Sequence, residues 1–203
     1  MSLVKRGIMG GTFDPPHIGH LMLAEEAKKC LALDEVIFIP AGEPWAKASL
    51  PVSPAAERLE MVRLAISGKP DFEISDIEIK RLGPSYTWET LEELHNKYPS
   101  DELYFILGWD NLTALPSWHE PRRIIGAAHL AAAPRIGFAQ PDLEALEKLI
   151  PGIGQRTVIM TGPEIDISAS TIRQRVKKGL PIDHLVPPPV AEYIVVKGLY
   201  KTG

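Results

Sequence analysis

Residues 3–31 read L-V-K-R-G-I-M-G-G-T-F-D-P-P-H-I-G-H-L-M-L-A-E-E-A-K-K-C-L, and this stretch decides the fold. Residues 3–9 are short, mostly apolar and closed by glycine, the pattern of a buried strand. Gly10 and Gly11 follow, where the missing side chains let backbone approach a ligand closely. The pair Pro15-Pro16 fixes the turn, and residues 21–31 then read as a helix with an apolar face through Leu21, Ala24, Cys30 and Leu31. A strand, a glycine turn and a helix start in succession present free N–H groups and partial positive charge to whatever lies over the glycines. That is a place to hold phosphate.

His17 and His20 stand three residues apart at the helix start, so both imidazoles can share a face and point at one anion. The same two residues also read as a buried, hydrogen-bonded core or capping pair. Zinc is a third reading, but it needs at least three ligands and only Asp14 lies nearby, so no protein-held metal is expected.

Working outward, strand and helix patterns alternate. Strands are expected at residues 35–40, 72–80, 103–107, 129–133 and 157–160, the second with a bulge where its alternation slips between Ile74 and Ile77. Helices are expected at 53–67, 87–98, 110–115, 121–127, 142–150 and 173–178, with Ser53 capping the first of these and Pro54 in its first position. Residues 41–52 read as a loop. Such alternation implies βαβ units: an α/β fold with a mostly parallel sheet and helices on both faces. Ligands in such sheets bind at the carboxyl ends of strands, so residues 10–20, 41–47, 81–87, 108–110 and 161–173 carry the functional expectation.

A chain of 203 residues can bury a full core, and a single domain over residues 1–203 is expected. A formal charge of −4 argues against a broad nucleic-acid surface while leaving room for a local basic pocket. The one cysteine, Cys30, allows no internal disulfide and is expected as a buried thiol on the apolar helix face, which fits a reducing compartment. No segment approaches the roughly 18 to 20 apolar residues of a membrane span, so a cytoplasmic protein without membrane or nucleic-acid partners is expected. Nothing marks the oligomeric state, and a homo-oligomer is compatible with the pattern.

A second anion-binding element follows the last strand. Residues 167–173, I-S-A-S-T-I-R, gather hydroxyls at the start of a basic helix. Backbone N–H groups with Ser170, Thr171 and Arg173 suit the outer phosphates of a nucleoside triphosphate, arginine offering a rigid fork of donors. Ser168 or Ser170 can equally be a simple cap, and Arg173 a solvated charge.

Taken together, G-G-T-F-D-P-P-H-I-G-H resembles the signature of the (H/T)xGH nucleotidyltransferase superfamily, a Rossmann-like fold distinct from the GxGxxG type. I-S-A-S-T-I-R resembles the I-S-S-T-x-x-R signature of adenylyltransferases. With the C-terminal L-V-P-P-P-V-A-E-Y-I-V-V-K-G-L-Y, the whole chain is similar to the bacterial nicotinate-nucleotide adenylyltransferases. The resemblance implies transfer of the adenylyl group of ATP to nicotinate mononucleotide, giving nicotinate adenine dinucleotide and pyrophosphate for NAD biosynthesis, with Mg²⁺ bridging phosphate oxygens.

It also implies site residues. Gly10, Gly11, Thr12, Phe13, His17, His20, Ser170, Thr171 and Arg173 would hold ATP, with His17, His20 and Arg173 catalytic. On the acceptor side, Lys47 would meet the mononucleotide phosphate and Thr87 the nicotinate carboxylate, although Thr87 also reads as a helix N-cap. Trp118 would stack on the pyridine ring, and the backbone N–H of His119 would meet the carboxylate. Gly108 and Asp110 match the family's G-x-D, whose Asp contacts ribose hydroxyls, and Arg135 is placed near the adenine. Trp109 departs from the small residue usual within G-x-D. Sister enzymes take the amidated mononucleotide or phosphopantetheine, and Trp118 with S-Y-T argues against the latter. A nucleotide sensor that had lost catalysis would be expected to lose His17, His20 or Arg173, and all three are present.

Overall fold

The computed structural model describes residues 3–44, 51–162 and 166–201. Its strands, in chain order, are β1 (Lys5–Gly11), β2 (Glu35–Pro40), β3 (Glu43–Pro44), β4 (Phe72–Ile74), β5 (Pro84–Ser85), β6 (Glu102–Gly108), β7 (His129–Ala133) and β8 (Thr157–Ile159). The helices are α1 (Ile18–Leu31), α2 (Ala55–Ala65), α3 (Ile77–Lys80), α4 (Thr87–Lys97), α5 (Trp109–Ala114), α6 (Pro121–Ala127), α7 (Leu143–Leu149), α8 (Ile153–Arg156), α9 (Ala169–Lys177) and α10 (Pro188–Val196). Six strands form one sheet in the order β4-β2-β1-β6-β7-β8, every pair parallel. The chain builds outward from β1 and then returns to β6 on the other side of β1. The carboxyl ends of β1 and β6 therefore flank the topological switch.

Side chains sort by period two into a layer on each face. Ile8, Ile37, Ile39, Phe105, Leu107, Leu130 and Ala132 meet α4, α5, α6 and α7 on one face. Met9, Val36, Phe38, Tyr104, Ile106, Ala131 and Ala133 meet α1 and α2 on the other. Because both faces are covered, the strands read as continuous apolar runs. Full burial of a side chain such as Ile8 or Phe38 contributes about 1.5–3 kcal/mol. A third cluster joins Met61 and Ala65 of α2 to Ile172 of α9 and to Val190 and Ile194 of α10. It brings the C-terminal helices up to the first βα unit.

Several expectations are corrected. Residues 72–80 hold no bulged strand: β4 stops at Ile74 and one turn of helix follows at Ile77–Lys80, so the phase slip marks a change of period. Helix α1 starts at Ile18, with His17 in the cap position, and buries Leu21, Ala24 and Ala27. Cys30 is exposed. It lies nine residues beyond Leu21, about two and a half helical turns, which turns it to the opposite side. Pro54, not Ser53, occupies the cap position of α2. Tyr86 occupies that of α4, which makes Thr87 its first helical residue. Helix α9 begins at Ala169, so Ser170 and Thr171 sit inside its first turn. Among the described residues no helix is long and apolar enough to cross a membrane.

Candidate active site

The loop after β1 is shaped by contacts between its own rings. Phe13 takes a left-handed backbone conformation, φ 50°, and is buried beneath the loop with its ring edge-on to His20 at 4.9 Å. The backbone N–H of His17 donates to His20 Nδ1 at 3.1 Å, and the two imidazoles stack at 3.7 Å with 23° between their planes. The capping reading is thus correct for the pair, the His17 side chain facing the His20 N–H in return. The His17 ring is also buried, and its Nδ1 makes no hydrogen bond of full geometry among the described residues. Burial, and secondarily the charge of Arg135, lowers its pKa from 6.5 to about 4, so the ring is neutral at pH 7. A buried ring nitrogen left without a partner is costly and rare.

Helix α9 supplies the second element. The Ser168 side chain caps it, accepting from the Thr171 N–H at 3.2 Å, and lies 3.1 Å from Ser170 Oγ and 2.8 Å from Thr171 Oγ1. The hydroxyls thus gather over the first-turn N–H groups. Arg173 is no solvated charge, because its Nη1 donates to the Asp14 carbonyl at 2.7 Å. This bond spans 159 residues and fastens α9 to the histidine loop. The Ile18 N–H, opening α1, donates to the Leu185 carbonyl at 2.9 Å, a second tie to the C-terminal region.

The middle segments meet on the other side of the switch. Strand β3 pairs with β5, Glu43 opposite Pro84 and Pro44 opposite Ser85, while Lys47 lies outside the described residues. The Tyr86 ring packs on His119 at 4.4 Å, and Trp118 stands edge-on to Phe105 at 6.2 Å. S-Y-T and L-P-S-W-H therefore come together, with Thr87 half-buried at the start of α4. Gly108 caps α5, and a Cβ there would lie 2.5 Å from Asp110 Oδ1. Asp110 Oδ2 accepts from Arg135 Nη1 at 2.9 Å, so Arg135 is bound to the Asp110 carboxylate while its charge also reaches His17. Asp110 Oδ1 and Trp109 Nε1 are buried without partners. With His17 Nδ1 they complete the set of orphaned buried side-chain atoms among the described residues, all in segments that follow β1 or β6.

Sequence reasoning missed the polar groups beneath the loops. Arg58 is 1% exposed, and its guanidinium donates to three backbone carbonyls. The available signal was its position on the stripe Arg58, Met61, Val62 and Ala65, which is the buried face of α2. Asp14 accepts from Tyr200 Oη at 2.6 Å and from the Ser53 N–H at 3.2 Å. Glu78, whose carboxyl is pushed up in pKa by burial, accepts from Thr90 Oγ1 at 2.8 Å.

The family model described as cytidylyltransferase-like matches residues 8–175, from β1 into α9 and so across both the histidine loop and the hydroxyl-rich start of α9. A protein of Dehalococcoides mccartyi described as a probable nicotinate-nucleotide adenylyltransferase is 56% identical over 201 residues, covering 98% of each chain. The chain belongs to the nicotinate-nucleotide adenylyltransferase family. Another protein so described, from a Roseiflexus species, is 46% identical and covers 99% of this chain and 100% of its own. The fold agrees with that of the Plasmodium falciparum nicotinic acid mononucleotide adenylyltransferase complexed with NaAD, at a TM-score of 0.80, 21% identity and 97% coverage of both chains. This nicotinate-nucleotide adenylyltransferase family member thus brings both of its signature motifs, H-I-G-H after Pro16 and I-S-A-S-T-I-R at α9, to one end of the sheet.

Proposed function

We propose that this chain, acting as a single domain, transfers the adenylyl group of ATP to nicotinate mononucleotide. The observation that carries this reading is the Arg173 bond to the Asp14 carbonyl, 2.7 Å, which sets the hydroxyl-rich start of α9 against the stacked histidines. One triphosphate can then be held from two sides. An oxygen of the acceptor phosphate attacks the α-phosphorus in line, a new P–O bond forms, and the bond to the β-phosphate oxygen breaks as pyrophosphate leaves. No covalent enzyme intermediate is needed, so catalysis is alignment and charge stabilisation.

His17 and His20 serve the α and β phosphates over the Gly10, Gly11, Thr12 and Phe13 turn. His17, being neutral, offers an N–H donor without a net charge, and the arriving anion favours its protonation. Ser170, Thr171, Arg173 and the first N–H groups of α9 receive the leaving pyrophosphate. Among the described residues no group of three or more His, Cys, Asp or Glu could hold a metal ion. A Mg²⁺ arriving on the ATP phosphates would neutralise phosphate charge when bound.

On the acceptor side Trp118 offers a flat surface to the pyridine ring, with Thr87 and the His119 N–H at its carboxylate. Asp110 Oδ1, lacking a partner, accepts from a ribose hydroxyl next to Gly108. Lys47 meets the mononucleotide phosphate. The test follows α-³²P from labelled ATP. Label in the dinucleotide, with unlabelled pyrophosphate released, supports the reading; label retained on the protein, or no dinucleotide, refutes it.

A further inference from the structure

We propose that Arg58 is a positioning residue that locks the ATP half of the site to the acceptor half without touching either substrate. The side chain lies on the buried face of α2 and is 1% exposed. Its Nη1 donates to the Thr12 carbonyl, its Nη2 to the Gly42 carbonyl and its Nε to the Ser53 carbonyl, each at 2.9 Å. Thr12 belongs to the turn between the glycine pair and His17. Gly42 follows β2 and leads into β3, on the acceptor side. Ser53 precedes α2. Three loops from three parts of the chain thus converge on one planar cation.

Each loop is held again at a second point. The Gly42 N–H donates to Ser85 Oγ at 2.9 Å, so Arg58 and the S-Y-T segment grip the same residue through the peptide units on its two sides. A Cβ at Gly42 would lie 2.3 Å from the Glu78 carbonyl oxygen, so backbone passes backbone here with no slack. The Ser53 N–H donates to Asp14, whose carbonyl takes Arg173 and whose other carboxylate oxygen takes Tyr200 Oη. A continuous path of hydrogen bonds runs from Arg173 through Asp14, Ser53 and Arg58 to Thr12 and Gly42, and on to Ser85.

Only arginine supplies this geometry. Its fork presents fixed donors in three directions, whereas the lysine ammonium carries all its donors on one atom. Burial works against the charge, and Asp14, Tyr200 and Glu78 around it restore part of that loss. The consequence for the reaction is alignment. The attacking phosphate is positioned by the loops after β2 and β5, the α-phosphorus by the loop after β1, and in-line transfer tolerates little error between them. Misplacement by about 1 Å costs up to roughly 100-fold in rate.

The proposal rests on the adenylyl-transfer reading, and wild-type pyrophosphate release from ATP and nicotinate mononucleotide is the control that tests that reading separately. Given an active wild type, Arg58→Lys should lower kcat about 10- to 100-fold, counted per active site in single-turnover reactions. The equilibrium Kd of ATP alone and of the mononucleotide alone should each stay within about threefold, because neither half-site is itself dismantled. A variant with a lower melting temperature but an unchanged kcat per active site would make Arg58 a purely structural residue and overturn the proposal. Equal losses in Kd for both substrates with kcat preserved would overturn it as well. Should Arg58→Lys not fold, Ser85→Ala severs the Gly42 grip from the other end. It should lower kcat several-fold with the Kd of ATP unchanged, and an unchanged kcat there refutes the coupling.

Discussion

Acidification from pH 7.5 to pH 5 should cost the ligand-free protein about 2 kcal/mol of folding stability through His17 alone. The ring is 7% exposed and its pKa is lowered to about 4, chiefly by burial and then by the charge of Arg135. In the unfolded chain the same ring titrates near 6.5. Between those two values the unfolded chain binds a proton that the folded site refuses. Stability is therefore fully present above pH 6.5 and is lost as pH falls toward 4. Each tenfold difference in proton affinity is worth about 1.4 kcal/mol, which limits the effect to about 3 kcal/mol, of which about 2 is realised by pH 5. His129, whose pKa is also depressed by burial and by Arg156, contributes in the same direction, so the measurement must be a difference. Urea unfolding of wild type and of His17→Asn, followed from pH 7.5 to 5, isolates the one ring. The asparagine variant should show the shallower pH dependence by about 2 kcal/mol. Identical slopes would mean that His17 is solvated or charged in the folded protein, and the neutral-donor role would fall with it.

His20→Ala should lower kcat about 100- to 1,000-fold, the cost of one preorganised donor, and steady-state turnover near that of wild type would remove His20 from the chemistry. Trp118→Ala should raise the KM for the mononucleotide about tenfold through lost stacking while leaving the KM for ATP unchanged; equal changes in both would count against a pyridine platform. In Gly108→Ala the new Cβ, 2.5 Å from Asp110 Oδ1, must displace that carboxylate. The KM for the mononucleotide should then rise while circular dichroism stays that of the wild type, and an unaffected KM would separate Asp110 from the acceptor.

The legible parts of the fold are those in which local pattern and tertiary role agree. Residues 35–40, 121–127 and 129–133 are read with their observed bounds, because strands covered on both faces are uninterrupted apolar runs and Pro121 opens its helix. Residues 72–80 mislead because strand and helix share nine residues, too few for either period to declare itself. Cys30 follows Leu21 and Ala24 in an apolar pattern, yet Leu21, Ala24 and Ala27 define the buried face without it. Within the site, the histidine spacing and the hydroxyl cluster give an expectation of anion binding from first principles. The acceptor roles proposed for Thr87, Asp110 and Trp118 come only through family resemblance, since a threonine at a helix start, an aspartate and a loop tryptophan carry no mark of a pyridine ring. The polar framework beneath is harder still. Tyr200 meets Asp14 across 186 residues, a contact no local spacing encodes. Arg58 reads as one more helical charge until its place on the stripe with Met61 and Ala65 is noticed.

The most direct measurement of the central claim compares kcat/KM for nicotinate mononucleotide and nicotinamide mononucleotide at saturating ATP. A site with Thr87 and the His119 N–H directed at a carboxylate predicts a preference for the nicotinate form of about tenfold or more, accompanied by stoichiometric pyrophosphate. Equal or better turnover of the amide, or no pyrophosphate with either acceptor, would contradict it.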